Sequence, residues 1–140
     1  MNSLTFRHEH RVCYAECTVG NHVYYGRYLD LLEEARGEFF RCLGRTLLEW
    51  QHAGLIFPVI EVRVRYKASA RYDDKVTVEL WVNQLEGVRL GFEYRLLCED
   101  RLLAEASTAH VFTTTGEKPR RPPPDLCEML RPYVRTLEAT

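Results

Sequence analysis

Seven consecutive residues, Glu16-Cys17-Thr18-Val19-Gly20-Asn21-His22, set a carboxylate, a thiol, a hydroxyl and an imidazole within one short stretch. An imidazole has an intrinsic pKa of about 6.5, so His22 is a candidate general base toward water or toward the Thr18 hydroxyl. Threonine is no base at neutral pH, and as a nucleophile Thr18 needs such a neighbour. Glu16, or Glu33 farther along, offers a carboxylate for the same task. Plainer roles stand beside these: His22 as a structural loop residue, and either glutamate as a solvated charge.

Other reactive types are dispersed. Cys13, Cys17, Cys42, Cys98 and Cys127 are odd in number and scattered, which fits reduced thiols better than a disulfide framework. No second Cys or His pair stands at ligand spacing from Cys13 and Cys17, so neither a metal nor a cofactor is expected.

The elements that must position these groups follow from periodicity. Phe6, Val12 and Tyr14 alternate with Arg7, Glu9 and Arg11, predicting a half-buried strand from Phe6 to Tyr14 with His8 and His10 on its apolar phase. Glu16 to His22 breaks the alternation and carries Gly20-Asn21, a turn signal, so a loop leads into a helix. From Val23 the period becomes helical through Tyr25, Tyr28, Leu32, Ala35, Phe39 and Leu43, ending at Gly44; a shorter helix covers Thr46 to His52. Four alternating runs follow, around Ile60–Tyr66, Val76–Val82, Val88–Leu96 and Leu102–Phe112. Tyr72-Asp73-Asp74, Leu85-Glu86-Gly87 and Glu99-Asp100 are tight joints fit for antiparallel neighbours. Pro122-Pro123-Pro124 predicts an extended exit, and Leu126, Met129, Leu130 and Val134 a short final helix. The order is α+β: one antiparallel sheet covering a long helix with its apolar face.

With 140 residues the chain suits one domain, residues 1–140, with 46% hydrophobic and 28% charged residues. A net charge of −1 supplies no field for nucleic acid or an acidic membrane. No apolar leader and no run of about 20 apolar residues is present, so a cytoplasmic location is expected.

The segment Val12-Cys13-Tyr14-Ala15-Glu16-Cys17-Thr18-Val19-Gly20-Asn21-His22-Val23-Tyr24-Tyr25-Gly26-Arg27-Tyr28-Leu29, with Phe57-Pro58-Val59, Tyr66-Lys67-Ala68 and Arg71-Tyr72-Asp73-Asp74, resembles the hydroxybenzoyl-CoA thioesterase family of hot-dog proteins. The resemblance implies a sheet wrapped around the long central helix and a homodimer or homotetramer, with sheets joined edge to edge and active sites between subunits. It implies hydrolysis of an acyl thioester, coenzyme A or carrier-protein linked. A backbone N–H at the helix start, matching Tyr25 with Gly26 following, would polarise the carbonyl. The family's catalytic Asp falls on Thr18, with Cys17 and Glu16 before it. Thioesterases of enediyne polyketide pathways, a branch with Asn in that place, carry a helix Tyr and a helix Arg that match Tyr28 and Arg36. Their sites imply hydrogen-bonded positioning in place of a carboxylate. Core packing for Tyr28 and a surface charge for Arg36 are the alternatives.

For a coenzyme's phosphates or a carrier's acidic face, Arg63, Arg65 and Lys67, with Arg71, form one basic cluster, and Lys118, Arg120 and Arg121 another. Either also reads as a solvated face. The missing carboxylate leaves a competing function, a non-catalytic acyl-binding or assembly protein of the same fold. A hydratase is weaker, since no suitably spaced Asp-His pair is present.

Overall fold

The computed structural model describes residues 3–135. Alternation opens the chain as β1 (Phe6–Arg11), which stops at Arg11 rather than Tyr14. Val12 is buried, and the chain then coils into a 3-10 turn over Tyr14–Glu16. The Glu16 carboxylate closes that turn by accepting the Cys13 N–H at 2.7 Å, a local bond that outcompetes continued strand pairing.

Where a plain loop was expected there is a small hairpin of β2 (Cys17–Thr18) and β3 (His22–Val23). Gly20 at φ +89° and Asn21 at φ +62° supply the left-handed conformations its reversal needs. The helix α1 spans Arg27–Leu43 and does not reach back to Val23. Val23 N–H donates to the Ala70 carbonyl at 2.9 Å and Tyr24 N–H to the Glu16 carbonyl at 3.0 Å, which holds this stretch extended despite its helical spacing. Gly44, at φ +110°, ends α1 as predicted. The helix α2 (Leu47–His52) follows, with the Thr46 hydroxyl accepting the Glu49 N–H as its cap.

Strands β4 (Val59–Tyr66), β5 (Lys75–Glu86), β6 (Arg89–Cys98) and β7 (Arg101–Val111) join β1 in one antiparallel sheet ordered β1-β5-β6-β7-β4. The joints at Gly87 and Glu99 link neighbours. Tyr72-Asp73-Asp74 does not: β4 pairs with β7 at the far edge, so residues 67–74 cross the end of the sheet. Local alternation shows that a strand exists but not which strand it pairs with. The crossing is tied to α1, because Ala70 N–H donates to the Tyr28 phenol oxygen at 3.1 Å.

The inner face is built from Val76, Val78, Leu80 and Val82 of β5 and Leu90, Phe92, Tyr94 and Leu96 of β6, all fully buried against Leu31, Leu32, Ala35 and Phe39 of α1. Phe39 meets Phe92 edge-on at 6.0 Å, and its truncation to Ala should cost about 3–5 kcal/mol. An irregularity between Leu96 and Leu97 slips the phase of β7, which buries Leu103 and Ala104 in succession instead of the expected Leu102. Pro124 opens the helix α3 (Pro124–Leu130) rather than ending an extended exit; a proline is tolerated in a first helical turn.

This is the α+β hot-dog arrangement, a sheet wrapped around a central helix. Its β4 edge carries exposed apolar side chains: Val59 is 42% exposed, Ile60 51%, Val62 41% and Tyr66 46%. Among the described residues no helix is long and apolar enough to cross a membrane.

Candidate active site

Three segments converge at the start of α1: the β2–β3 hairpin, the Tyr24–Gly26 turn, and the crossing after β4. They enclose a cleft of about 450 Å³ lined by Thr18, His22, Tyr24, Tyr25, Tyr28, Tyr66 and Lys67. The N–H groups of Arg27, Tyr28 and Leu29 donate to the carbonyls of Tyr24, Tyr25 and Gly26, so the chain winds helically from Tyr24 onward. Among the described residues, the Tyr25 and Gly26 N–H groups have no hydrogen-bond partner. Two free donors at the positive end of a 17-residue helix are a setting in which an anionic oxygen would be stabilised.

Aromatic rings shape the cleft wall. Tyr66 donates its hydroxyl hydrogen to the Tyr25 carbonyl at 2.9 Å, and its ring meets Tyr28 edge-on at 5.0 Å. A Cβ on Gly26 would come within 2.8 Å of the Tyr24 ring, so glycine is what lets that ring lie against the turn. Tyr28 is buried, holding Ala70 as well as lining the cleft, so its packing and site roles coincide.

Thr18 and His22 are directly paired across the hairpin. Side chains so placed share a face with Cβ atoms about 4.5–5.5 Å apart, close enough for an imidazole and a hydroxyl to hold one water between them. Glu16 is differently engaged. Both its oxygens accept from His10 Nε2, at 2.9 and 3.0 Å, and Oε1 also accepts from Cys13 N–H. Glu33 stands exposed on α1 without an ion pair among the described residues.

Arg36 lies two turns along α1 from Tyr28 and begins a chain of polar groups that the spacing of the sequence did not suggest. Its guanidinium donates to Tyr94 Oη at 3.1 Å; Tyr94 Oη lies 2.7 Å from Thr108 Oγ1, which lies 2.9 Å from His110 Nε2. His110 Nδ1 is 3.0 Å from the Phe57 carbonyl. A carbonyl only accepts, so Nδ1 carries the hydrogen; burial, with the Arg36 charge adding to it, holds the His110 pKa down at about 4 and the ring neutral. Nε2 therefore accepts from Thr108, Thr108 accepts from Tyr94, and Tyr94 accepts from Arg36. Polar Thr108 and His110 on the inward phase of β7 are the local sign from which this chain could have been sought. Arg36 has no carboxylate partner among the described residues.

Of the basic candidates, Lys67 lines the cleft. Arg63 and Arg65 sit with Arg95 and Ser107 at a separate hollow of about 580 Å³. The two-residue period of β4 sends them to the outer face, while Val64 packs against the core and Tyr66 against Tyr28. Tyr66 and Ala68 entered the sequence reading only within the Tyr66-Lys67-Ala68 segment of the resemblance, and neither they nor Ser69 were given a place at the site, because nothing local reveals that the end of β4 meets the helix start.

The thioesterase superfamily model matches residues 20–105. The chain belongs to the thioesterase superfamily. The acyl-CoA thioesterase YbgC of Haemophilus influenzae is 37% identical to this thioesterase over 100 residues, 69% of the chain and 72% of the relative. A DHNA-CoA thioesterase from Staphylococcus aureus superimposes with a TM-score of 0.82 at 29% identity, over 89% of this chain and 87% of its own. The dynemicin thioesterase superimposes with a TM-score of 0.87 at 19% identity, over 95% and 99%, a likeness of fold. Membership in this superfamily and the open oxyanion donors favour a thioester hydrolase over a non-catalytic acyl-binding protein.

Proposed function

We propose that this thioesterase hydrolyses acyl-CoA thioesters in the cleft at the start of α1 without a catalytic Asp. The free Tyr25 and Gly26 N–H groups carry the reading, because they stand where a thioester carbonyl oxygen entering the cleft would gain two donors. Thr18 orients a water and His22 removes its proton as the water oxygen bonds to the carbonyl carbon. The tetrahedral oxyanion rests on Tyr25 and Gly26. As it collapses the C–S bond breaks, the electron pair leaves on sulfur, and His22 returns the proton to the thiolate. The Thr18–His22 pairing and the engagement of Glu16 by His10 support these roles over Glu16 or Glu33 as base.

Lys67 is suited to the coenzyme's phosphates, while Arg63 and Arg65 would serve a ligand passing over the outer face. Arg36, fixed by Tyr94, is suited to a polar group on the acyl portion. The exposed apolar β4 edge is suited to pairing with a second copy, giving a homodimer, and pairs of dimers would give a tetramer.

The test is release of free thiol from short, long, aryl and β-ketoacyl thioesters of coenzyme A and of acyl-carrier protein. Turnover of coenzyme A substrates is expected. Turnover of carrier-protein substrates alone would move the assignment to the carrier.

A further inference from the structure

His10 is bracketed by two carboxylates. Its Nε2 lies 2.9 and 3.0 Å from the Glu16 oxygens and its Nδ1 lies 3.0 Å from Glu34 Oε2. An ionised carboxylate offers no hydrogen, so an imidazole hydrogen-bonded to one at each nitrogen needs a hydrogen on both, and is an imidazolium. Its side chain is 15% exposed, as is that of Glu16, so neither charge is fully screened. Glu34 is further held by His8 Nε2, at 2.6 Å from the same oxygen.

This cluster joins β1, α1 and the turn that precedes β2. Glu16 stands at one end of it, and its backbone carries the connection onward, because its carbonyl accepts the Tyr24 N–H at 3.0 Å. The residue after Tyr24 presents the free N–H of Tyr25, and Thr18 lies two residues after Glu16. Both halves of the cleft are therefore anchored to the backbone of one residue whose side chain His10 grips.

We propose that His10 is a positioning residue: as an imidazolium clamped between Glu16 and Glu34, it holds the Glu16 segment so that the Tyr25 and Gly26 donors and Thr18 keep their places. The proposal rests on the thioesterase reading of the cleft. The other charged groups of β1, Arg7 paired with Glu79, Glu9 paired with Lys75 and Arg11 near Asp73, lie on its opposite face, and β5 presents Val76 opposite His10. Glu16, Glu34 and His8 are thus the titratable groups facing the clamp. Burial lowers the His10 pKa, but the hydrogen bonds and charges of Glu16 and Glu34 outweigh it and raise it above 6.5. The clamp is accordingly closed below that raised value and opens as pH rises through it.

Two variants test this, His10→Gln and Glu34→Gln, the second a partly exposed helix position that leaves Glu16 in place. The kcat of thioester hydrolysis and backbone amide exchange at Tyr24 are followed against pH. Expected are a kcat at least tenfold lower in His10→Gln with its alkaline decline gone, a decline shifted to lower pH in Glu34→Gln, and faster Tyr24 exchange in both, with KM little changed. Superimposable pH profiles, or Tyr24 exchange equal to that of the parent, would overturn it. If the parent chain hydrolyses no thioester, the functional reading fails, while Tyr24 exchange still decides whether His10 holds the turn.

Discussion

The Tyr66 hydroxyl donates to the Tyr25 carbonyl across 2.9 Å, joining the last residue of β4 to the turn that opens α1. A sheet edge and a helix start, 41 positions apart in sequence, are thereby fixed to one another. Loss of this bond in Tyr66→Phe should lower kcat/KM roughly five- to tenfold, about 1–1.4 kcal/mol of transition-state stabilisation. Because Tyr66 is about half exposed, its denaturant midpoint should barely move. Steady-state kinetics beside a urea titration separate the two; a large loss of stability with unchanged kcat/KM would assign Tyr66 to the fold alone.

The fully buried end of the cleft behaves differently. Tyr28→Phe strands the Ala70 N–H in a buried setting, which should cost about 1–3 kcal/mol. Here a lower urea midpoint is the expected result, and parental stability would mean that Ala70 finds another acceptor.

How much of this was legible beforehand differs by element. The amphipathic helix and the alternating strands could be read because one face of each is buried, and burial leaves a period. Tyr25 and Gly26 were placed through the resemblance of their segment, and the structure then showed their N–H groups free. The parts played by Tyr66, Tyr94 and the Lys67–Asp74 crossing were hidden, although Tyr66-Lys67-Ala68 and Arg71-Tyr72-Asp73-Asp74 entered through the resemblance, since these parts come from partners far away in the chain. Val23 was misread as helical because its N–H bond to the Ala70 carbonyl, its pairing with Cys17 and the bond of the next residue, Tyr24, to the Glu16 carbonyl override its local spacing. His10 was visible on the apolar phase of the first strand, but only the fold brings Glu34 to it.

Acid should weaken the fold through His110. Its folded pKa is about 4 and its ordinary value 6.5, so between these limits the unfolded chain binds a proton that the folded chain does not. Stability therefore falls as pH falls from about 6.5 to 4, by on the order of 3 kcal/mol at the acid end. Urea midpoints across that range should decline in the parent and flatten in His110→Gln. An identical slope in both would remove His110 as the source.

The exposed β4 edge yields an assembly prediction. A lysine in place of Val62, which is 41% exposed on that strand, puts like charges together wherever two copies pair. Light scattering should show a dimer or larger for the parent and a monomer for Val62→Lys, with activity reduced in parallel. A monomeric parent of full activity would discard the edge-to-edge assembly.

The proposed thioester hydrolysis without an Asp comes down to Thr18 and His22. The measurement is kcat for thiol release from an acyl-CoA by the parent chain, by Thr18→Val and by the double variant Thr18→Val/His22→Gln. Turnover by the parent, a fall of about a hundredfold in Thr18→Val and little further loss in the double variant are expected, as for groups acting as a unit. A parent that releases no thiol above background, or a double variant as fast as the parent, would contradict it.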